Sequence, residues 1–117
     1  MIVSAIIPPS QALVLADLIA MPDHGIASRV LSKTSGGNVT LFAFDAGEGL
    51  SEHTAPFDAL VLVIDGSLKL TIGGANVDAS PGTIVRLPAR VPHAVDAVAA
   101  SRMLLIMLRE TAVPAAG

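Results

Sequence analysis

The sequence has no cysteine, tryptophan or tyrosine, and only 15% of its 117 residues are charged. Without cysteine, the chain can neither form disulfides nor use a thiolate as a nucleophile or metal ligand. The aromatic side chains are Phe42, Phe44 and Phe57 alone. We assign these three rings to the core, so stacking against a sugar ring has little support.

Positive charge is also scarce and scattered. The chain carries seven basic and ten acidic residues, a net charge of −3 and a pI near 5.4. A nucleic-acid interface needs clustered Lys and Arg to neutralise phosphates, so we predict no nucleic-acid partner. Apolar residues make up 52% of the chain, which leaves little polar surface for a monomer. We therefore predict a homodimer, formed by packing an apolar sheet face or by pairing edge strands.

The apolar N-terminus has neither the pattern of a signal peptide nor that of a membrane span. It contains no basic leading region, and Pro8-Pro9 interrupts its hydrophobic run. The run is also too short to cross a bilayer as a helix. We expect a cytoplasmic protein without membrane contact, in which residues 1–25 pack on a partner subunit.

A two-residue period dominates the rest of the chain. Residues 67–72 alternate between polar and apolar side chains, residues 39–44 follow the same period, and a short helix is expected only near 16–20. Residues 60–64 and 103–108 are apolar at every position, so we expect both faces of these strands to be covered, one by the interior and one by another sheet or subunit. Gly- and Asp-containing turns recur at short intervals, which is typical of an antiparallel sandwich or barrel.

Two segments carry glycines and histidines at a particular spacing. In the first, five residues separate Gly47 from His53, and the segment ends at Gly66. This resembles the first motif of the cupin superfamily, which runs G, five residues, H-x-H, three or four residues, E, six residues, G. Ala55 stands at the second histidine position of that motif, and Ala59 at the glutamate position.

The second segment resembles the second cupin motif, which runs G, five residues, P-x-G, two residues, H, three residues, N. Gly82, Pro88 and His93 match it, whereas Arg90 replaces the glycine and Ala97 the asparagine. The resemblance spans about residues 36–109. It implies an all-β, double-stranded β-helix barrel of the jelly-roll type, at about 26–110, within a single domain of residues 1–117.

In that family the metal is held by the two histidines and the glutamate of the first motif and by the histidine of the second. The resemblance therefore makes His53 and His93 the candidate metal ligands. A divalent transition metal such as Fe, Mn, Ni or Zn would be held weakly by two ligands, because protein metal sites usually have three or four.

The same residues also support a pocket without metal. Burial favours neutral imidazoles, which can donate and accept hydrogen bonds or act as general bases near pH 7. Arg90 is a candidate rim residue for a carboxylate or phosphate, and its alternative role is that of a solvent-exposed loop cation. Asp58 precedes the lost glutamate by one position, so alternation turns it outward unless a bulge at 56–57 shifts the register. His24 lies in a turn outside both motifs, and we expect a solvated loop residue.

Three classes of function remain, and the sequence decides neither an enzymatic activity nor a substrate. The first is a small barrel that binds a small molecule, with His53, His93 and Arg90 as ligand-binding residues. The second is a metal-dependent oxygenase, isomerase or decarboxylase, the activities that the resemblance implies. The third is a dimeric scaffold without a ligand, in which both histidines are structural.

Overall fold

The computed structural model of the protein describes residues 6–110. These residues form nine β-strands and one 3₁₀ turn, Leu15–Leu18, which overlaps the short helix expected at 16–20. The strands are β1 Ile26–Thr34, β2 Gly37–Phe44, β3 Gly49–His53, β4 Ala59–Asp65, β5 Leu68–Ile72, β6 Ala75–Ala79, β7 Ile84–Leu87, β8 His93–Ala97 and β9 Ser101–Leu108.

The strands form two antiparallel sheets. One has five strands in the order β1-β2-β9-β4-β7, and the other has four in the order β3-β8-β5-β6. Neighbours such as β9 and β4 lie far apart in the sequence, so the chain passes repeatedly between the sheets. This confirms the all-β, two-sheet barrel that the sequence predicts.

The core lies between the inner faces of the two sheets. Phe44, Leu68 and Leu70 are completely buried there, and Phe42 stacks on Phe44 with 5.9 Å between ring centroids. Alternation along each strand puts these apolar side chains on one face, as predicted. Phe57 is the exception, because it is half-buried outside this cluster, with the Arg109 guanidinium carbon 5.5 Å from its ring centroid. Its assignment to the core was wrong.

Part of the outer face of the five-stranded sheet is covered by the N-terminal segment of the same chain. Arg29 and Arg102 donate hydrogen bonds to the carbonyl oxygens of Leu18 and Ile19, at 3.0 and 3.2 Å. In the sheet register Arg29 pairs with Leu41 and Arg102 pairs with Ala43, and both Leu41 and Ala43 are completely buried. Residues 1–5 of the predicted N-terminal segment lie outside the described range, and packing on a partner subunit stays a prediction.

The two segments that are apolar at every position, 60–64 in β4 and 103–108 in β9, are buried to different extents on their two faces. Val61, Val63 and Met103 point inward and are no more than 1% exposed. The outward positions, such as Leu62 and Leu104, keep partial exposure. The expected cover on the inner face is therefore confirmed, and complete cover of the outer face by a partner subunit stays a prediction.

Candidate functional site

The two motif histidines lie directly opposite each other on neighbouring strands. His53 ends β3, His93 begins β8, and the two residues form a cross-strand pair. A one-residue bulge in β3 separates this pair from the next pair, Leu50 with Val95. Strict alternation would put Leu50 and His53 on opposite faces of β3. Because of the bulge, both line the same cavity.

The imidazole rings meet through their Nε2 atoms. These nitrogens are 3.1 Å apart, and the ring planes are inclined at 70° with centroids 4.4 Å apart. Each Nδ1 faces a backbone carbonyl oxygen two residues earlier: His53 Nδ1 lies 2.9 Å from the oxygen of Ser51, and His93 Nδ1 lies 3.2 Å from that of Val91. All four ring nitrogens therefore have a defined partner.

These contacts favour one tautomer of each ring. A carbonyl oxygen only accepts hydrogen bonds, so its position beside each Nδ1 favours a hydrogen on that nitrogen. A neutral imidazole with a hydrogen on Nδ1 has a lone pair on Nε2. Two such lone pairs facing each other at 3.1 Å repel unless a cation lies between or beside them. The pair therefore accommodates one proton or a metal ion.

The histidines differ in burial. His93 is 6% exposed, whereas His53 is exposed. Burial lowers the pKa of His93 below its ordinary value of 6.5; the hydrogen bond to Val91 opposes this shift, and the neighbouring His53 adds to it. A second proton on the pair is therefore disfavoured, since it would charge a buried ring beside another cation.

Beneath the pair lies a very small cavity. Its free volume is about 20 Å³, which is enough for one water molecule. The lining is apolar except for the two imidazoles, and it consists of Leu50, His53, Val61, Leu87, His93, Val95, Met103 and Leu105. Met103 is a lining residue that the sequence did not predict, because a methionine in an apolar strand has the pattern of a core residue. Residues 103–108 are apolar at every position, so no local pattern marks Met103 as facing this cavity.

Arg90 lies in an exposed turn and does not line this cavity. Its backbone has a φ of 65°, the left-handed conformation that the glycine of the motif would adopt without strain. Its amide donates a 2.7 Å hydrogen bond to the carbonyl of Ala55, so this turn joins the two motif segments. A role for the Arg90 side chain in ligand binding stays a prediction.

Asp58 and His24 lie where the sequence predicts. Asp58 Oδ1 accepts a 2.8 Å hydrogen bond from the amide of Ala89, and Oδ2 lies 3.4 Å from Arg86 Nη1. The carboxylate thus points away from His53 and stabilises the turn that precedes β8. The His24 side chain is 96% exposed, with its Nδ1 3.6 Å from Asp45 Oδ2.

No further ligand joins the pair at the positions where the motif would supply one. Ala59 is buried against the core, and Ala55 lies in the loop after β3. Among residues 6–110, no three His, Cys, Asp or Glu side chains are grouped closely enough to hold a metal ion together. Any complete metal site at this pair needs other donors.

Residues 40–108 match the cupin domain family, and this span contains both histidines and both motif segments. The chain belongs to the cupin family. The match covers more than half of the sequence, which confirms the family that the two motifs indicate.

Solved structures agree with this membership. A conserved protein of unknown function from Streptococcus pyogenes is 28% identical with a TM-score of 0.87, and the match covers 96% of this cupin and 98% of that chain. A cupin superfamily protein from Desulfitobacterium hafniense is also 28% identical, with a TM-score of 0.84 and coverage of 92% and 98%.

A cupin 2 conserved barrel domain protein from Leptotrichia buccalis is 36% identical with a TM-score of 0.77. The match covers 80% of this cupin but only 46% of that longer chain. No curated protein gives a match to this sequence. In the described part of the chain, no helix has the length and apolar character needed to span a membrane.

Proposed function

We propose that this cupin binds a transition-metal ion through the Nε2 atoms of His53 and His93. The observation that carries this proposal is the 3.1 Å approach of the two Nε2 atoms, with each Nδ1 within hydrogen-bond distance of a backbone carbonyl oxygen. Imidazole nitrogen is a common ligand for Fe, Ni, Cu and Zn. The arrangement also explains why two histidines face each other beside an apolar cavity that contains no other polar side chain.

The distances fit such an ion. Two imidazole nitrogens that each lie about 2.0–2.1 Å from one zinc ion are about 2.8–3.4 Å apart when their bond angle is between octahedral and tetrahedral. The observed 3.1 Å falls in this range, so the separation of the two nitrogens fits a shared ion. Metal-bound histidines usually donate their other N–H to a carboxylate, carbonyl or water. The carbonyl oxygens of Ser51 and Val91 already accept those hydrogen bonds.

Two protein nitrogens leave most coordination positions of the ion to other donors. A metal held in this way supplies Lewis acidity at a site with open positions. His53 is exposed, so an incoming ligand can reach the pair from solvent without crossing the core. The two histidines place both Nε2 atoms at the ion, and the apolar lining leaves room for no more than about one water molecule on the inner side of the site.

The size of the cavity limits where a small molecule, the first class of function considered, could bind. A cavity of about 20 Å³ holds one water and is far below the roughly 300 Å³ at which ligand pockets begin. We therefore propose that a small molecule binds on the solvent side of the histidine pair, as a ligand of the metal, and not within the barrel.

The test is equilibrium metal binding on untagged protein. Dialysis against Co(II), Ni(II) or Zn(II), followed by elemental analysis, should give up to one ion per chain for the wild type and a loss of at least tenfold in affinity for His53→Ala and for His93→Ala. His24→Ala is the matched control, because His24 is exposed and outside the site. Equal binding by all four proteins would overturn the proposal.

We also propose that the cupin is a homodimer that uses the outer face of its five-stranded sheet. Outward residues of β4 and β9 such as Leu62 and Leu104 are only partly covered, and Val14 on the overlying segment is 64% exposed. Light scattering after size exclusion at micromolar concentration should give twice the chain mass of 11.9 kDa. A mass of one chain would contradict this.

A further inference from the structure

We propose that Met103 is a third ligand at the histidine pair and that the site therefore selects Cu(I). This inference rests on the proposed function, since it presupposes that His53 and His93 bind a metal ion. It adds the identity of the metal and a ligand that neither cupin motif contains.

Met103 shares a cavity with the two imidazoles. It is completely buried on the inner face of β9, and it lines the same cavity as His53 and His93. The cavity has a free volume of about 20 Å³, so the side chains that line it, Met103 and both imidazoles among them, enclose the space of about one water molecule. A methionine side chain has three rotatable bonds, which lets its sulfur approach an ion at the Nε2 atoms without movement of the strand.

The chemistry of these donors favours a soft ion. Thioether sulfur is a soft ligand that suits Cu(I), whereas Mg(II), Ca(II) and Mn(II) prefer oxygen ligands. Imidazole suits copper equally well. Two imidazoles and one thioether therefore form a neutral, soft donor set that is suited to Cu(I).

The absence of negative charge from the cavity lining also favours Cu(I). The lining contains no carboxylate, and Asp58, which lies within the first motif segment, contacts Ala89 and Arg86 instead. A divalent ion would therefore keep both of its charges next to an apolar cavity. The cost of desolvating an ion rises with the square of its charge, so a monovalent ion has about one quarter of that cost.

Met107 provides a matched control on the same strand. Its side chain also faces inward and packs against the core, four residues beyond Met103. Met107 does not line the histidine cavity. Met103→Leu and Met107→Leu are thus the same near-isosteric change on the same strand face, and only the first removes a sulfur from the site.

The experiment is an anaerobic Cu(I) titration against a chromophoric chelator, run beside a Zn(II) titration, on the wild type and both leucine variants. Met103→Leu should lower the Cu(I) affinity by at least the tenfold to hundredfold that even outer-shell partners of a metal contribute. It should leave the Zn(II) affinity within about threefold, which is about 0.65 kcal/mol. Met107→Leu should change neither value. X-ray absorption of the Cu(I) protein should show a sulfur scatterer that is absent from Met103→Leu.

The outcomes separate this inference from the proposed function. If Met103→Leu binds Cu(I) as tightly as the wild type, or if the wild-type spectrum shows only nitrogen and oxygen scatterers, Met103 is not a ligand and the inference fails while the histidine site stands. If the wild type binds no metal at all, the proposed function itself fails. Circular dichroism of each variant confirms that a loss of affinity does not come from unfolding.

Discussion

The two strands that carry the histidines are held in very different ways. β8 lies between β3 and β5, and its residues His93, Val95 and Ala97 are all at most 6% exposed. β3 is an edge strand that pairs with β8 alone, contains a bulge, and leaves His53 exposed. One half of the site is therefore part of the core, and the other half depends on a single neighbouring strand.

This difference indicates that the two strands contribute unequally to the free energy of unfolding, although both contribute a ligand to the metal site. Local opening of a protein begins where few buried contacts hold a segment. Changes in β8 should therefore reduce both the free energy of unfolding and metal binding, whereas changes at the exposed end of β3 should reduce binding alone. Substitutions in and around the two strands can test this asymmetry.

Gly49→Ala should be the most damaging single change in β3. A Cβ at this position would collide with the carbonyl oxygen of Val95 in β8 and approach the Cα of Asp96 to 3.2 Å. Both obstacles are backbone atoms, so β3 must move away from β8. We expect a loss of about 2–3 kcal/mol in the free energy of unfolding, measured by urea denaturation.

Metal binding should fall with it, because His53 would separate from His93. Gly36→Ala is the matched control, since an added Cβ there would meet only Thr34 Oγ1 at 3.6 Å, an ordinary contact. If Gly49→Ala has normal stability and normal metal binding, the two strands tolerate separation. The claim that β3 depends on its contact with β8 would then be wrong.

Exchanging each histidine for alanine separates binding from stability. His93→Ala opens a cavity in the core and removes a buried hydrogen bond, which should cost about 1–2 kcal/mol. His53→Ala should cost less than about 0.5 kcal/mol, since the residue is exposed. Both variants should lose metal. Equal destabilisation by the two changes would contradict the asymmetry.

Acidification should lower the free energy of unfolding by less than these substitutions do, through protonation of His93. Because the pKa of this buried side chain is lowered from 6.5, the unfolded chain takes up the proton more readily than the native protein. The contribution of neutral His93 to stability is therefore complete above pH 6.5 and is lost as the pH falls below it. Urea denaturation at pH 7.5 and 5.5 measures this loss in the free energy of unfolding, which should be smaller in His93→Asn. If the loss is the same in that variant, it comes from groups other than His93.

Arg90→Gly should give the smallest change in the free energy of unfolding, and this change should be an increase. A non-glycine residue in the left-handed region costs about 1–2 kcal/mol, and glycine in its place costs about 0.5–1 kcal/mol of additional chain entropy. We expect a net stabilisation of about 0.5 kcal/mol, with metal affinity unchanged. A loss of metal affinity would instead indicate that the Arg90 side chain contributes to the site.

The fold could be predicted because the sequence carries the backbone requirements of the motifs. Gly66 illustrates this, since its φ is 84° and an added Cβ would collide with the carbonyl oxygen of Ala100 and with Ser101. Only glycine satisfies both conditions, so its position in the sequence fixes a turn. The outward direction of Asp58 was predictable for a similar reason, because strand alternation is a property of the backbone.

The site itself was predictable only in part. Spacing brings His53 and His93 together, but the β3 bulge that turns both Leu50 and His53 toward one cavity has no glycine or proline to mark it. The size of the cavity depends on packing between strands that are distant in the sequence, such as β3 and β9. The proximity of Met103 to the imidazoles follows from the same packing, and therefore no local pattern reveals it.

The most direct test of the histidine site is a long-range ¹H–¹⁵N correlation spectrum of the imidazole nitrogens at pH 7.5, before and after one equivalent of Zn(II). We expect the Nε2 resonances of His53 and His93 to shift when zinc is added and both rings to carry the hydrogen on Nδ1 in the zinc-bound protein, while His24 does not respond. A hydrogen on Nε2 of either ring in the zinc-bound protein, or no shift with zinc, would contradict the claim that the two Nε2 atoms form a metal site.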